Sequence, residues 1–130
     1  MRILIEEHQY PAEVVENMVS DGSVSGFHIF FPDPWQKKRH YKRRLINSTF
    51  VAALVNKLKE GGYIYCVTDW EDYAHQMQEV LRGEKRLSSP FEGFADKGNE
   101  IVPWRPQTKF ERKGLAVGRT IFESYFVKTC

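Results

Sequence analysis

Residues 27–35 read FHIFFPDPW and run directly into QKKRHYKRR at residues 36–44. The first five residues form a largely apolar run that is consistent with a buried strand, and Pro32 and Pro34 end it abruptly. The two prolines fix their own φ angles and favour extended backbone at the residues before them. Asp33 is therefore expected on a stiff, non-helical turn at the carboxyl end of a strand, where open α/β sheets bind ligands.

A dense run of positive charge follows this turn. Six of the eight residues from 37 to 44 are Lys or Arg, whereas the rest of the chain carries 13 such residues against 17 Asp and Glu. The basic character is therefore local, as in a phosphate-binding patch. A solvated charged face is the alternative, but Asp33 and Trp35 beside the run favour a site where an anionic polymer presents a base.

Length and composition restrict the class of protein. With 130 residues the chain is predicted to form a single domain, residues 1–130. No apolar run approaches the roughly 18–20 residues of a membrane span, and the first residues do not resemble a signal peptide. Cys66 and Cys130 make neither a disulfide framework nor a metal spacing, and the four histidines lack HxH and HExxH patterns. We expect no metal site and a reducing, cytoplasmic compartment.

Strand and helix patterns alternate along the chain. Four strands are predicted, at residues 2–5, 26–31, 63–68 and 120–127. Three helices are predicted, from Pro11, over 48–58 and over 71–81. Gly61 and Gly62 are expected to stop the second helix, and a short strand is expected near Phe91 or Ile101. This order predicts a mostly parallel α/β sheet, with the last strand as an antiparallel edge.

Two further groups of residues carry open alternatives. Asp69 and Trp70 follow the third strand, as Asp33 follows the second, so a functional role and a helix cap followed by a core aromatic are both open. Thr108 and Glu111 have the spacing of a capping box, and local rules favour that structural reading.

Three blocks of the sequence carry a family signature. They are FFPDPW at 30–35 with Lys37 and RHYKRR at 39–44, TDW at 68–70 with Tyr73 and Ala74, and TKFE at 108–111 before Arg112 and Gly114. Together these blocks resemble the signature of the bacterial tRNA (guanine-N7-)-methyltransferases, in the same order, and cover most of residues 26–126. That family uses the Rossmann-like class I methyltransferase fold. It transfers a methyl group from S-adenosyl-L-methionine to N7 of a guanine in the tRNA variable loop.

The resemblance implies a role for each matching residue, with tRNA as partner and S-adenosyl-L-methionine as cofactor. Asp33 would be the catalytic residue and would also border the methionine end of the cofactor. Substrate would be contacted by Lys37, Asp69, Thr108, Lys109, Phe110 and Glu111. RNA would be bound by Arg39, His40, Tyr41, Lys42, Arg43 and Arg44. For Thr108 and Glu111, capping and substrate contact can coexist.

The sequence also departs from the family pattern. The glycine-rich turn after a first strand and the acidic residue after a second, which hold the cofactor, are absent. The chain begins where the family's third strand would be, and the family's sheet order is 3-2-1-4-5-7-6, so we expect a partial fold of strands 3–7. Where the family carries Asp then Ala near the adenine, this chain has EEHQYPA at 6–12, in which Glu7 is the candidate.

We therefore interpret the chain as the C-terminal portion of a tRNA (guanine-N7-)-methyltransferase. One alternative is a non-catalytic RNA-binding domain derived from a methyltransferase, and another is an adenine or small-molecule methyltransferase. The missing glycine-rich turn predicts that these 130 residues alone neither bind the cofactor tightly nor transfer methyl groups. The second strand would expose an open edge and promote self-association, unless the N-terminal segment pairs with it directly.

Overall fold

The computed structural model describes residues 2–6, 17, 19–32, 34, 37–94 and 121–129. Five strands are present in these residues: β1 (Arg2–Glu6), β2 (Val24–Phe30), β3 (Leu58–Thr68), β4 (Leu87–Ser88) and β5 (Phe122–Lys128). Two α-helices and one 3₁₀ helix accompany them: α1 (Ser48–Lys57), α2 (Glu71–Gly83) and the 3₁₀ helix Lys38–Arg43. The helix predicted from Pro11 falls almost entirely outside the described residues.

The strands form one mixed sheet in the order β1-β2-β3-β5-β4. β1, β2 and β3 are parallel, whereas β5 runs antiparallel to β3 and β4 antiparallel to β5. This arrangement confirms the partial methyltransferase fold, because it is the expected order of strands 3 to 7 with strands 2 and 1 left out. The antiparallel last strand is also confirmed, but the outermost position belongs to the two-residue β4. This short strand lies a few residues before Phe91, and the predicted alternative near Ile101 lies outside the described residues.

β1 pairs directly with β2, in register from Arg2 opposite Gly26 to Glu6 opposite Phe30. The open edge that we expected on β2 is therefore covered by the chain's own N-terminal segment. The exception stated with that expectation therefore holds, and self-association through this edge is not supported.

α1 agrees with its predicted bounds to within one residue, but the predicted stop signal is wrong. The helix stops at Lys57, and β3 begins at the next residue, so Gly61–Gly62 does not terminate it. The ammonium group of Lys128 donates to the carbonyls of Val55 and Leu58, at 3.0 and 2.8 Å, and so binds carbonyls at the helix end. Gly61, at φ +84°, instead lies where the register between β2 and β3 is irregular.

Alternation along the strands separates two apolar layers. One layer packs against α1 and α2 and contains the buried strand residues Ile5, Phe27, Ile29, Ile64, Cys66 and Phe126. The other layer is aromatic and contains Phe30, Phe31, Tyr63, Tyr65, Val67 and Ile121. Cys66 is fully buried in the first layer. Burial raises the pKa of its thiol to about 12, so it remains a protonated packing residue.

His28 is buried at the aromatic layer, with 8% of its surface exposed. Its Nε2 lies 2.7 Å from the Tyr63 hydroxyl, and the rings of Phe30 and Tyr65 are 5.8 and 6.0 Å away between centroids. Burial lowers the pKa of His28 to about 4, and the positive charge of Arg2 on β1 adds to the effect.

This shift predicts that the fold loses stability in mild acid. Because the unfolded chain takes up the proton near pH 6.5, stability is present above that pH and is lost as the pH falls towards 4. We expect His28 to account for about 2–3 kcal/mol of the loss in unfolding free energy between about pH 7 and pH 4.5. Urea titrations of the wild type and of His28→Gln, which cannot titrate, measure this difference. Equal losses in the two proteins would contradict it.

Candidate functional site at the ends of the parallel strands

The carboxyl ends of the three parallel strands lie side by side. Glu6 is paired with Phe30, the last residue of β2, and Phe30 is paired with Val67 near the end of β3. The segments that follow β2 and β3 therefore leave the sheet at the same edge. This places the turn around Pro32 next to the segment that begins at Asp69, as the sequence predicted from the order of the strands.

Phe31 carries the chain out of β2 with a φ of +52°, a rare angle for a residue other than glycine. The extended backbone that we predicted before Pro32 is therefore wrong. The Phe31 N–H donates to the Val67 carbonyl at 2.7 Å, and the side chain is buried in the aromatic layer. A left-handed conformation costs about 1–2 kcal/mol, and it persists where the surroundings hold it. The turn towards Asp33 thus starts from a restrained backbone.

α2 begins directly after the end of β3, and its start tests the capping alternative for Asp69. Trp70 is the N-cap residue of α2, with no side-chain cap, and its N–H donates to the Thr68 hydroxyl at 3.2 Å. Asp69 lies one residue before the cap position, so the capping interpretation is wrong. Trp70 packs half-buried against the helical layer of the core, which agrees with its interpretation as a core aromatic. Asp69 itself is half-buried at the strand end.

The basic run forms the 3₁₀ helix and its approach, beside the end of β2. Five of its six cations are exposed: Lys37, Lys38, Arg39, Lys42 and Arg43. A concentrated positive surface at this edge attracts phosphates. We call these five residues the basic surface. The side chains of His40 and Tyr41 fall outside the part of the structure that is described.

Arg44, the sixth cation, is only 1% exposed. Its Nε donates to the carbonyl of Pro34, and its two terminal nitrogens donate to Gln76 and, at 2.8 Å, to Asp72. The guanidinium also lies 4.7 Å from the centre of the Tyr73 ring. The side chain thus bonds within the protein, which argues against the predicted contact of Arg44 with RNA.

A second set of hydrogen bonds joins the same region to α2. The Ile46 N–H donates to the Tyr73 hydroxyl at 2.9 Å, and burial raises the pKa of that phenol. Asn47 caps α1 by accepting from the Phe50 N–H at 2.9 Å, and its amide donates to the Arg44 carbonyl at 3.2 Å. Residues 44–47 are therefore connected to both helices.

Sequence reasoning missed this buried arginine and its partners on α2. The six cations were treated as one exposed run, although the apolar pair Leu45 and Ile46 follows directly and is buried. An apolar pair at the end of a charged run was the available signal that the chain turns inward there.

Several predicted site residues lie outside the described residues. They are Glu7, Asp33, Thr108, Lys109, Phe110 and Glu111. Within the described ranges, no group of three or more His, Cys, Asp or Glu residues could hold a metal ion. No helix in the same part of the chain is long and apolar enough to cross a membrane.

The matching family and the similar curated proteins are all methyltransferases. A family model described as "Putative methyltransferase" matches residues 3–124. The chain is 53% identical over 116 residues to the tRNA (guanine-N(7)-)-methyltransferase of Dechloromonas aromatica (strain RCB), which covers 89% of this chain and 46% of that protein. For the protein of the same name from Ralstonia pickettii (strain 12J), identity is 52% over 116 residues, with 89% and 44% covered.

A third relative and a solved structure are similar to the chain. Identity to the tRNA (guanine-N(7)-)-methyltransferase of Neisseria meningitidis serogroup C (strain 053442) is 51% over 117 residues, covering 88% of this chain and 46% of that protein. The chain therefore spans less than half the length of these curated relatives. The SAM-dependent O-methyltransferase of Thermotoga maritima superposes with a TM-score of 0.46 at 17% identity, covering 89% of this chain and 37% of that chain.

Proposed function

Because the chain belongs to the putative methyltransferase family, whose model matches residues 3–124, we propose that it is the substrate-side portion of an S-adenosyl-L-methionine-dependent tRNA (guanine-N7-)-methyltransferase. The observation that carries this proposal is the exposed basic surface beside the adjacent ends of β2 and β3. Relatives that carry this name at 53% and 52% identity support guanine in tRNA as the substrate. A cytoplasmic location belongs to the same proposal.

S-adenosyl-L-methionine is the methyl donor in this proposal, but the described residues do not by themselves fit it. β1 is paired directly with β2, so no strand that could carry a glycine-rich turn or a ribose-binding acid lies between them. Asp33, and Glu7 after β1, would border only part of the cofactor. The chain spans 46% of the Dechloromonas aromatica relative, and we propose that the remaining contacts come from the portion that it does not span.

The chemistry at guanine demands orientation more than proton transfer. N7 carries a lone pair and no proton, so the attacking atom needs no general base. Alignment of the reacting groups can supply about 7–11 kcal/mol of the barrier. A carboxylate at Asp33 would accept hydrogen bonds from the N–H groups of guanine and so hold the base. It would also stabilise the positive charge that methylation leaves on the purine. Lys37, Asp69 and residues 108–111 would complete the contacts to the substrate.

tRNA binding would rest on phosphate contacts from the basic surface. The target guanine is buried in folded tRNA, so we expect local opening or extrusion of the base. His40 and Tyr41 lie in the same run, and an aromatic ring such as Tyr41 or Trp35 would stack on an exposed base. RNA would therefore be bound by residues 37–43, without Arg44.

This phosphate interaction predicts a change in salt dependence. Replacing both Lys42 and Arg43 by Ala should lower the slope of log affinity against log salt by about 0.7–0.9 for each phosphate that is no longer neutralised. Filter binding of the chain to tRNA between about 50 and 200 mM salt measures the slope. Lys59→Ala with Lys85→Ala is the matched control, because both lysines are exposed and lie outside the basic run. An unchanged slope in the first variant would contradict the proposal.

A non-catalytic RNA-binding domain is the second candidate, and the direct β1–β2 pairing favours it for this polypeptide alone. The two candidates separate in what we call the completed enzyme, which is this chain joined to the portion of the Dechloromonas aromatica relative that it does not span. We expect the completed enzyme to form 7-methylguanine in the variable loop of unmodified tRNA. Binding of tRNA without methyl transfer would support the non-catalytic RNA-binding domain. Methylation of adenine or of a small molecule would support the remaining alternative, an adenine or small-molecule methyltransferase.

A further inference from the structure

We propose that Arg44 is a positioning residue that joins the segments following β2 and β3 at the site, rather than an RNA ligand. The inference deepens the proposed function. It rests on that function because the proposed substrate contacts, Asp33 and Asp69, lie in these two segments. Its basis is one buried guanidinium with partners on both segments that leave the sheet at this edge.

The hydrogen bonds of Arg44 reach two separate parts of the chain. One goes to the carbonyl of Pro34, in the turn that follows β2 and directly after Asp33 in the sequence. The others go to Asp72 and Gln76, in the first two turns of α2, the helix that follows Asp69. A single side chain therefore joins the turn after β2 to the first turns of α2, the two segments next to the proposed substrate contacts Asp33 and Asp69.

The geometry of these contacts requires an arginine. The planar guanidinium lies over the Tyr73 ring while its nitrogens point to three different acceptors. A lysine ammonium is a compact point charge without a planar fork, and it would not satisfy three diverging acceptors from the same place. Lysine at this position should therefore replace arginine only in part.

Loss of Arg44 should leave the protein folded. The Asp72 side chain is 54% exposed, so its carboxylate returns to water when its partner is removed, and no charge is left buried. Ile46 remains bonded to Tyr73, and its carbonyl accepts from Gln76 at 3.5 Å. Methionine fills a similar apolar volume beside the Tyr73 ring. Arg44→Met is therefore a usable variant.

The first test separates positioning from phosphate contact. We expect Arg44→Met to leave the salt slope of tRNA binding unchanged, whereas Arg43→Met lowers it by about 0.7–0.9. A slope for Arg44→Met that falls as far as that of Arg43→Met would overturn the proposal.

The second test measures the two loops themselves, in the 130-residue chain and without any activity. Hydrogen exchange should become faster in Arg44→Met both near residue 34 and over residues 69–73, because one anchor serves both. Arg82→Met is the matched control, since Arg82 also lies over a ring, 5.3 Å from the centre of Phe126, and donates to Gln78 and Phe91. Unchanged exchange at both loops in Arg44→Met would overturn the inference.

The third test uses the completed enzyme. A small misplacement of catalytic groups can cost about 10²-fold in rate, so we expect Arg44→Met to lower kcat by at least about tenfold with little change in KM for tRNA. Arg44→Lys should recover part of kcat, and Arg82→Met should match the wild type. A normal kcat in Arg44→Met would overturn the positioning role. An inactive wild-type completed enzyme would instead count against the proposed function, and the first two tests would still decide the role of Arg44.

Discussion

Asp33→Asn in the completed enzyme is expected to lower kcat by about 10²–10³-fold, the usual effect of removing one preorganised charge-stabilising group. The variant keeps the size of the side chain but removes the negative charge that would face the developing positive charge on guanine. Because no proton has to be removed from N7, the effect should not be restored by raising the pH. tRNA affinity, which rests on the basic surface, should change little.

Single-turnover methylation and tRNA binding, measured on the same preparations, separate these two effects. Asp21→Asn is the matched control, because Asp21 lies just before the opposite end of β2 and is paired with Lys57 at 2.8 Å, away from the strand ends of the site. Its turnover should equal that of the wild type. Near-normal turnover of Asp33→Asn would mean that Asp33 only shapes the turn.

Gly26→Ala is expected to have the largest effect on stability, about 3 kcal/mol or more, as overpacking of a rigid site does. A Cβ at this position would clash with Cζ of Tyr63 and lie 2.6 Å from Cε1 of the same ring, which belongs to the residue paired with Gly26 across the sheet. The Tyr63 ring cannot easily move away, since its hydroxyl bonds to His28 at 2.7 Å and its ring stacks on Tyr125 at 5.4 Å. An aromatic ring over a strand glycine is a known way of covering exposed backbone.

A double-mutant cycle tests this assignment. Removing the ring in Tyr63→Ala should make a second change, Gly26→Ala, much less costly, so the two free-energy losses should not add. Gly83→Ala is the control, because nothing lies within 4 Å of the Cβ it would add at the end of α2. Urea titrations provide the unfolding free energies. Additive losses at Gly26 and Tyr63 would show that the ring is not the cause.

The elements with strong periodic patterns could be predicted from the sequence. β1, β2, α1 and α2 were predicted within about two residues, because alternating and helical apolar spacing reflects burial on one face of each element. β3 was predicted from residue 63 but begins at Leu58. The adjacency of the strand ends after Phe30 and Thr68 also followed, since carboxyl ends of parallel strands meet at one edge of a sheet. The resemblance to the methyltransferase signature rested on the same ordered blocks, and the family match over residues 3–124 confirms it.

Details that depend on distant partners became visible only in the folded chain. Gly61–Gly62 suggested a helix end, but α1 stops earlier and Lys128 bonds carbonyls at that end from another strand. Local rules favoured extended backbone at Phe31, but a hydrogen bond to β3 and burial of the ring hold a positive φ.

The burial of Arg44 at the site likewise could not be predicted from local sequence. Arg43 and Arg44 are adjacent residues of the same type. No local sequence pattern indicates which of the two faces solvent. That choice depends on Asp72, Tyr73 and Gln76, which are 28 or more positions away in the sequence. A buried guanidinium is stable only where acceptors converge on it, and their convergence is a property of the folded chain.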